Sequence, residues 1–297
     1  MDRQQAAKLM LDCLRTMLQR KGSDLFICAD FPPACKIDGK LTPLTETPLR
    51  PEQTATLVRP IMNDHQLREL DATKECNFAI NPPDIGRFRV KLFVQQRHIG
   101  AVLRIIPDQI PKLEDLGLPP ILKDLALTKR GLILVVGGTG SGKSTTLAAM
   151  LGYRNASTCG HIITIEDPVE FVHKHDKCLI TQREVGVDTL SWDNALINAL
   201  RQAPNVILIG EIRTRETMEH AINFSETGDL CLSTLHANSA NQALDRIINL
   251  FPEARRAQLL MDLSLNLKAV ISQRLLSKTG GGRGAAIDIM INSPLIQ

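Results

Sequence analysis

The chain has 297 residues, enough for two domains of ordinary size, and 43% of them are apolar, so a large core is available. Aromatic residues make up only 3%, and 35 basic against 32 acidic residues leave a formal net charge of +3, which argues against a nucleic-acid partner held by base stacking or bulk charge. The seven cysteines are odd in number and form no Cys-x-x-Cys pair, so they read as reduced thiols of a cytoplasmic protein rather than a zinc site or disulfide framework.

The N-terminus, Met-Asp-Arg-Gln-Gln, leads into an amphipathic stretch and not a signal peptide. Leu9, Met10, Cys13, Leu14, Met17 and Leu18 recur at helical spacing, with Gly22 placed to end that helix. Strand-like runs follow at Asp24 to Cys28, Ala34 to Ile37, Phe88 to Phe93 and Ala101 to Ile105, and a second helix is expected from Pro51 to Leu70. This mixture predicts a small α+β domain over residues 1–106. Pro107-Asp108-Gln109-Ile110-Pro111 opens a stiff linker, taken as residues 107–115, before a second domain over residues 116–297. Leu116 to Lys129 is expected to be helical. No apolar run approaches the roughly 18 residues that would span a bilayer, so a membrane role would come through partners.

From Gly131 the texture changes. Four apolar runs, Leu132–Val136, Ile162–Ile165, Val206–Ile209 and Leu230–Leu235, alternate with helix-like stretches, which predicts βαβ units and a mainly parallel sheet. The first run leads directly into Gly137-Gly138-Thr139-Gly140-Ser141-Gly142-Lys143-Ser144-Thr145, and a helix-compatible stretch follows. This order of strand, glycine loop and helix is that of a phosphate-binding loop. Glycines let backbone N–H groups come close to a triphosphate, and the helix start adds partial positive charge. Lys143 is expected to reach the β- and γ-phosphates and Ser144 to ligate magnesium.

Each run ends in residues able to do chemistry: Lys143, Glu166-Asp167, Glu211 and His236. In open α/β sheets ligands bind at the carboxyl ends of the strands, so one edge should collect all four. Glu211, after Ile207-Leu208-Ile209-Gly210, is the candidate for orienting and deprotonating water. Glu166 or Asp167 could hold magnesium through water or polarise the nucleophile, and a structural role for Glu170 is equally open. His236 is placed to sense the γ-phosphate, or else simply caps a helix. Arg87, Arg89, Arg104 and Arg213 are candidates for neutralising transition-state charge, an effect worth about 10³–10⁵ in rate in other nucleoside triphosphatases. Gly280-Gly281-Gly282 reads as a flexible turn, and Tyr153 and Trp192 as core or interface aromatics.

The motifs Gly-Thr-Gly-Ser-Gly-Lys-Ser-Thr, Ile-Glu-Asp-Pro-Val-Glu-Phe-Val-His, Gln-Arg-Glu-Val-Gly, Val-Ile-Leu-Ile-Gly-Glu-Ile-Arg and Ser-Thr-Leu-His-Ala-Asn-Ser-Ala, in this order, resemble those of the type II/IV secretion and pilus ATPases. Within that superfamily the chain is most similar to the type IV pilus retraction motors of the PilT/PilU kind, and Ser23-Asp24-Leu25-Phe26-Ile27, Phe31-Pro32-Pro33 and Leu244-Asp245-Arg246-Ile247-Ile248-Asn249 point to the PilU-like branch.

The resemblance implies a PAS-like N-terminal domain and a RecA-like ATPase domain, with ATP and magnesium as ligands. It also implies a homo-hexameric ring at the cytoplasmic base of the pilus machine, working with an inner-membrane platform protein, and leaves room for a paralogous retraction ATPase beside it. It matches Lys143 and Ser144 to Walker A, Glu166, Asp167 and Glu170 to an acidic box, Glu211 to Walker B and His236 to the second histidine of a His box. Arg89 and Arg104 match arginines that reach the nucleotide from the N-terminal domain. How Glu166 and Glu211 divide water activation and magnesium binding is left open. The alternatives are an assembly or secretion ATPase of the same superfamily and a weakly active nucleotide-binding adaptor. Asp229, Asn205, Thr214 and Lys91 depart from the family pattern, and Asp229, where a histidine is usual, is expected to bring negative charge near the phosphates.

Overall fold

The computed structural model describes residues 3–37, 39–107, 109–279 and 283–293. The Gly280-Gly281-Gly282 turn expected from sequence lies outside them. The chain divides into two compact units, residues 1–108 and 109–297.

In the first unit the helical period of the N-terminus becomes helix α1 (Arg3–Gln19), which buries Met10, Leu14 and Met17. Each fully buried side chain of this size contributes about 1.5–3 kcal/mol relative to exposure. The helix packs on a sheet of β1 (Asp24–Ile27), β2 (Ala34–Ile37), β3 (Lys40–Pro43), β4 (Glu75–Ile80), β5 (Arg87–Gln95) and β6 (His98–Ile106). The strand order is β3-β2-β1-β6-β5-β4, and every pairing is antiparallel. Along β5, buried Phe88, Val90 and Leu92 alternate with Arg87, Arg89 and Lys91, so the arginines share the face turned from the core.

The helix expected over Pro51 to Leu70 is two helices, α2 (Pro51–Val58) and α3 (Asp64–Thr73), joined through a 3-10 turn at Arg59–Ile61. Pro60 has no N–H for the helix ladder, and the Asn63 side chain starts a new helix by accepting from the Gln66 N–H. Strands β3 and β4 were not read from the sequence.

The second unit opens with turns, and helix α4 (Ile121–Ala126) is much shorter than the stretch expected from Leu116 to Lys129. Gly117 at φ +63° and the Pro119-Pro120 pair hold its first half out of the helix. The remaining elements are β7 (Gly131–Val136), α5 (Lys143–Ser157), β8 (Gly160–Glu166), β9 (Cys178–Glu184), α6 (Trp192–Ala199), β10 (Val206–Ile209), α7 (Arg215–Glu226), β11 (Leu230–Leu235), α8 (Ala240–Leu250), α9 (Arg256–Asn266), β12 (Leu267–Ser277) and β13 (Arg283–Ile291).

The strand order is β13-β12-β7-β11-β10-β8-β9. All neighbours are parallel except β12 and β13. Strands β7, β10 and β11 are buried at every residue, as expected where layers cover both faces. Leu132, Leu134 and Val136 pack with residues of α6 to α9, while Ile133 and Val135 pack on the other side with α4 and α5. The fold is therefore mixed α/β, an antiparallel-sheet unit followed by a mainly parallel-sheet unit.

Candidate active site

Strand β7 releases the chain into a loop whose conformation depends on glycine. Gly140 and Gly142 have φ of +74° and +89°. A Cβ on Gly142 would come within 2.7 Å of Gln273 Nε2, and one on Gly137 within 2.4 Å of the Gln273 carbonyl oxygen, so side chains are excluded by space as well as by torsion. Among the described residues, the N–H groups of Gly140 and Gly142 find no main-chain acceptor. Lys143, the first residue of α5, donates from Nζ to the carbonyls of Gly137 at 3.0 Å and Gly138 at 2.9 Å. Burial draws its ammonium below the ordinary lysine range, and the charges of Glu211 and Glu170 oppose that shift.

The loop forms one wall of a cavity of about 560 Å³. Residues from the ends of four neighbouring elements complete it: Glu166 and Asp167 after β8, Glu211 and Arg213 after β10, Thr234 and His236 at the end of β11, and Trp192 at the start of α6. The convergence expected from the apolar runs is thus present, with Thr139 through Thr145 and the acidic residues lining the same cavity.

Glu211 is held at both oxygens. Arg213 donates to Oε2 from Nε at 2.8 Å, and His236 Nε2 lies 3.2 Å from Oε1. Burial and the nearby Lys143 charge draw His236 below the ordinary histidine range, so near neutral pH its imidazole is uncharged. Burial pushes the Glu166 carboxyl above the ordinary carboxylate range. Thr164 Oγ1, at 2.6 Å, and Gln182 Nε2, at 3.3 Å, both donate to its Oε1 and resist that shift. Gln182 also ties the loop after Glu166, donating to the Phe171 carbonyl and accepting from the His173 N–H. Buried Glu184 accepts from the Val169 N–H. The Gln-Arg-Glu-Val-Gly motif therefore scaffolds the acidic loop. Glu170 lines the cavity as well.

The oxygens offered around the cavity, the Ser144 hydroxyl and the carboxylates of Asp167, Glu166 and Glu211, are hard donors of the kind magnesium takes alongside retained water. That donor set fits the ion.

Arg89 and Arg104 belong to the first unit, where they are direct cross-strand partners on β5 and β6. Arg104 Nε donates at 2.6 Å to Oδ1 of Asp24, whose carboxylate is buried on β1. Arg89 and Arg104 therefore share one face of the sheet, with the Asp24 carboxylate bonded to Arg104. Arg87 sits two residues before Arg89 on the same face.

One sequence expectation is corrected, and two further residues gain a place at the site that the sequence did not show. Asp229 does not stand near the phosphate loop: it precedes β11, whose far end carries His236, and its carboxylate accepts from Thr227 Oγ1. Trp192, read as a core or interface aromatic, lines the cavity while packing on the core. Gln273, to which no role was given, lies buried against the glycine loop. In the sequence it is the middle of three polar residues, Ser272-Gln273-Arg274, between the apolar Ala269-Val270-Ile271 and Leu275-Leu276, and the partners it meets are more than a hundred residues away.

A model of the type II/IV secretion system protein family matches residues 3–282. The chain is similar to the type IV pilus ATPase PilU of Pseudomonas aeruginosa, with 58% identity over 283 residues that cover 95% of this chain and 74% of that protein. It is also similar to the type IV pilus retraction ATPase PilT of the same organism, with 46% identity over 275 residues, 93% of this chain and 80% of that one. Among solved structures, the crystal structure of the pilus retraction motor PilT with bound ADP superposes with a TM-score of 0.93 at 43% identity, covering 96% of this chain and 84% of that one.

Proposed function

The chain belongs to the type II/IV secretion system protein family, and from that premise we propose that it is an ATP-hydrolysing motor of type IV pilus retraction, of the accessory PilU-like kind. The observation that carries the reading is the meeting of Lys143, Glu166, Glu211 and His236 around one cavity at the carboxyl edge of the parallel sheet.

In this reading the phosphate tail of ATP lies along residues 137–145. Lys143 exchanges the carbonyls of Gly137 and Gly138 for phosphate oxygens, a change its already desolvated ammonium favours. Glu211, its two oxygens fixed by Arg213 and His236, orients the attacking water and accepts its proton. A neutral His236 carries one N–H, which Nε2 gives to Glu211 Oε1, so the histidine serves the reaction by holding that carboxylate in place without adding charge. Glu166 supports the same water from the neighbouring strand, its carboxyl raised above the ordinary range by burial. Ser144 and Asp167 would hold magnesium, Asp167 through water, and the ion would supply charge neutralisation at the phosphates. Arg213, and Arg89 and Arg104 from the first unit, would serve the charge that builds in the transition state.

The motor would act as a homo-hexamer, docked on an inner-membrane platform protein, with room for a paralogous retraction ATPase beside it. No described helix is long and apolar enough to cross a membrane, so contact with the membrane would run through those partners, on the cytoplasmic side.

Purified protein supplied with ATP and magnesium should release phosphate, and Lys143→Ala or Glu211→Gln should cut the rate at least about tenfold, since each removes a group that phosphoryl transfer uses. A wild-type rate no higher than that of either variant would overturn the motor reading. In cells, loss of the gene should leave excess or non-retracting pili; bald cells would point to assembly instead.

A further inference from the structure

We propose that Gln273, on β12, is a positioning residue for nucleotide binding: it sets the orientation of the phosphate loop by clamping it at two points. The proposal rests on the nucleotide reading above.

The side chain of Gln273 is 3% exposed and makes two hydrogen bonds. Its Nε2 donates to the Ser141 carbonyl at 2.9 Å, and its Oε1 accepts from Thr146 Oγ1 at 2.7 Å. Ser141 lies within the loop and Thr146 in the first turn of α5, so one amide spans the bend between them. Among the described residues, no other side chain hydrogen-bonds to both the loop and this helix.

The consequence follows from peptide geometry. The unit joining Ser141 to Gly142 is planar and trans, so its C=O and N–H point in opposite directions. With the Ser141 carbonyl fixed on Gln273, the Gly142 N–H is turned the other way, and Gly142 lines the cavity. A loop released from Gln273 could rotate this peptide and turn a carbonyl, which repels phosphate, to where the donor had been. The close approach also explains the glycine: a Cβ at 142 would lie 2.7 Å from Gln273 Nε2.

Strand β12 is well placed for this work. It pairs in parallel with β7, the strand that feeds the loop, so the clamp and the loop share one rigid base. Leu275, two residues on and on the same face of β12, lines the cavity. A shift of β12 would therefore move a cavity wall and the loop together.

The test uses the full chain, with titration of labelled ATP and magnesium, turnover, and thermal unfolding without nucleotide. Gln273→Leu removes both hydrogen bonds with little change in volume. Gln273→Glu keeps the acceptor for Thr146 but sets a carboxylate against the Ser141 carbonyl, and it serves if the leucine variant does not fold. Each should weaken ATP binding at least about fivefold, the scale of one or two buried hydrogen bonds. Thr146→Val should weaken binding less, and the Thr146→Val/Gln273→Leu pair no more than Gln273→Leu alone, because the threonine acts through the glutamine. A glutamine that only supports the fold would lower the melting temperature and leave the dissociation constant unchanged, and that result overturns the proposal. Wild-type protein that binds no ATP, or Lys143→Ala that binds it equally well, would instead bring down the nucleotide reading, and this proposal with it.

Discussion

The two edges of the parallel sheet both carry polar residues and put them to opposite uses. At the carboxyl edge, Lys143, Glu166, Glu211 and His236 surround a cavity, and their mutual contacts leave ionisable groups turned into it. At the amino edge the groups close on one another. Asn205 accepts from the His161 N–H through its side chain and donates its own N–H to the His161 carbonyl, and its carbonyl accepts from the Leu230 N–H. The Asp229 carbonyl accepts from the Gly131 N–H. These bonds stitch the starts of β8, β10, β11 and β7 into register.

The difference teaches how departures from a family pattern should be weighed. Asn205 and Asp229 fall on the closed edge, where a residue needs only to satisfy its neighbours. Thr214 caps α7, accepting from the Thr217 N–H as an aspartate would, and Lys91 pairs with Glu75 on the first unit's sheet. None of the four is among the residues that line the cavity.

The sharpest way to break the comparison is to exchange one carboxylate on the open edge. Glu166→Gln keeps an acceptor for Thr164 and Gln182 but cannot take a proton. Turnover should fall about 10²-fold, the lower end for a positioned acid or base. The melting temperature should hold or rise, because burial disfavours the charged carboxylate that is removed. A large loss of stability with turnover intact would place Glu166 with the structural residues of the amino edge.

A smaller effect separates the two ionisable groups within the open edge. Glu166 must be ionised to act, and its pKa stands above the ordinary carboxylate value of about 4.3, so turnover should begin to fall with acid at a higher pH than an ordinary glutamate would set. Gln182→Leu removes a donor to the ionised form and should move that limb higher still. His236 is shifted the other way, so it stays neutral over the range above its lowered pKa and adds no limb near neutrality. A limb near neutral pH that vanishes in His236→Gln would reverse this assignment.

Much of the open edge was legible because its strands are buried on both faces. The runs at 206–209 and 230–235 coincide with β10 and β11 to the residue; Glu211 follows the first after Gly210, and His236 follows the second directly. Strand β9 was not legible, since it borders the sheet and its exposed Leu179 breaks the buried pattern. Helix α9 and β12 were hidden for another reason: no glycine or proline separates them, so one apolar stretch conceals a change of period at Leu267. Gln273 shows the limit most plainly. Its type and place in the run are ordinary, and only folding brings Ser141 and Thr146 to its amide.

The smallest expected effects lie on the closed edge, and they test whether it is truly remote. Asp229 and His236 bracket the six residues of β11, so at about 3.3 Å per residue they stand about 20 Å apart. A unit charge at that distance in water acts with about 0.2 kcal/mol before salt screening, a change of less than about 1.5-fold in rate. Asp229→His should therefore leave turnover nearly unchanged. Asn205→Ala removes the acceptor for the His161 N–H and should cost about 1 kcal/mol, lowering the melting temperature by about 2–4 °C with turnover per folded molecule intact. Calorimetry and phosphate release on the same samples check both. A rise in turnover of about tenfold or more on Asp229→His would break the comparison, because a unit charge at that distance cannot supply it even at an effective dielectric of about 20.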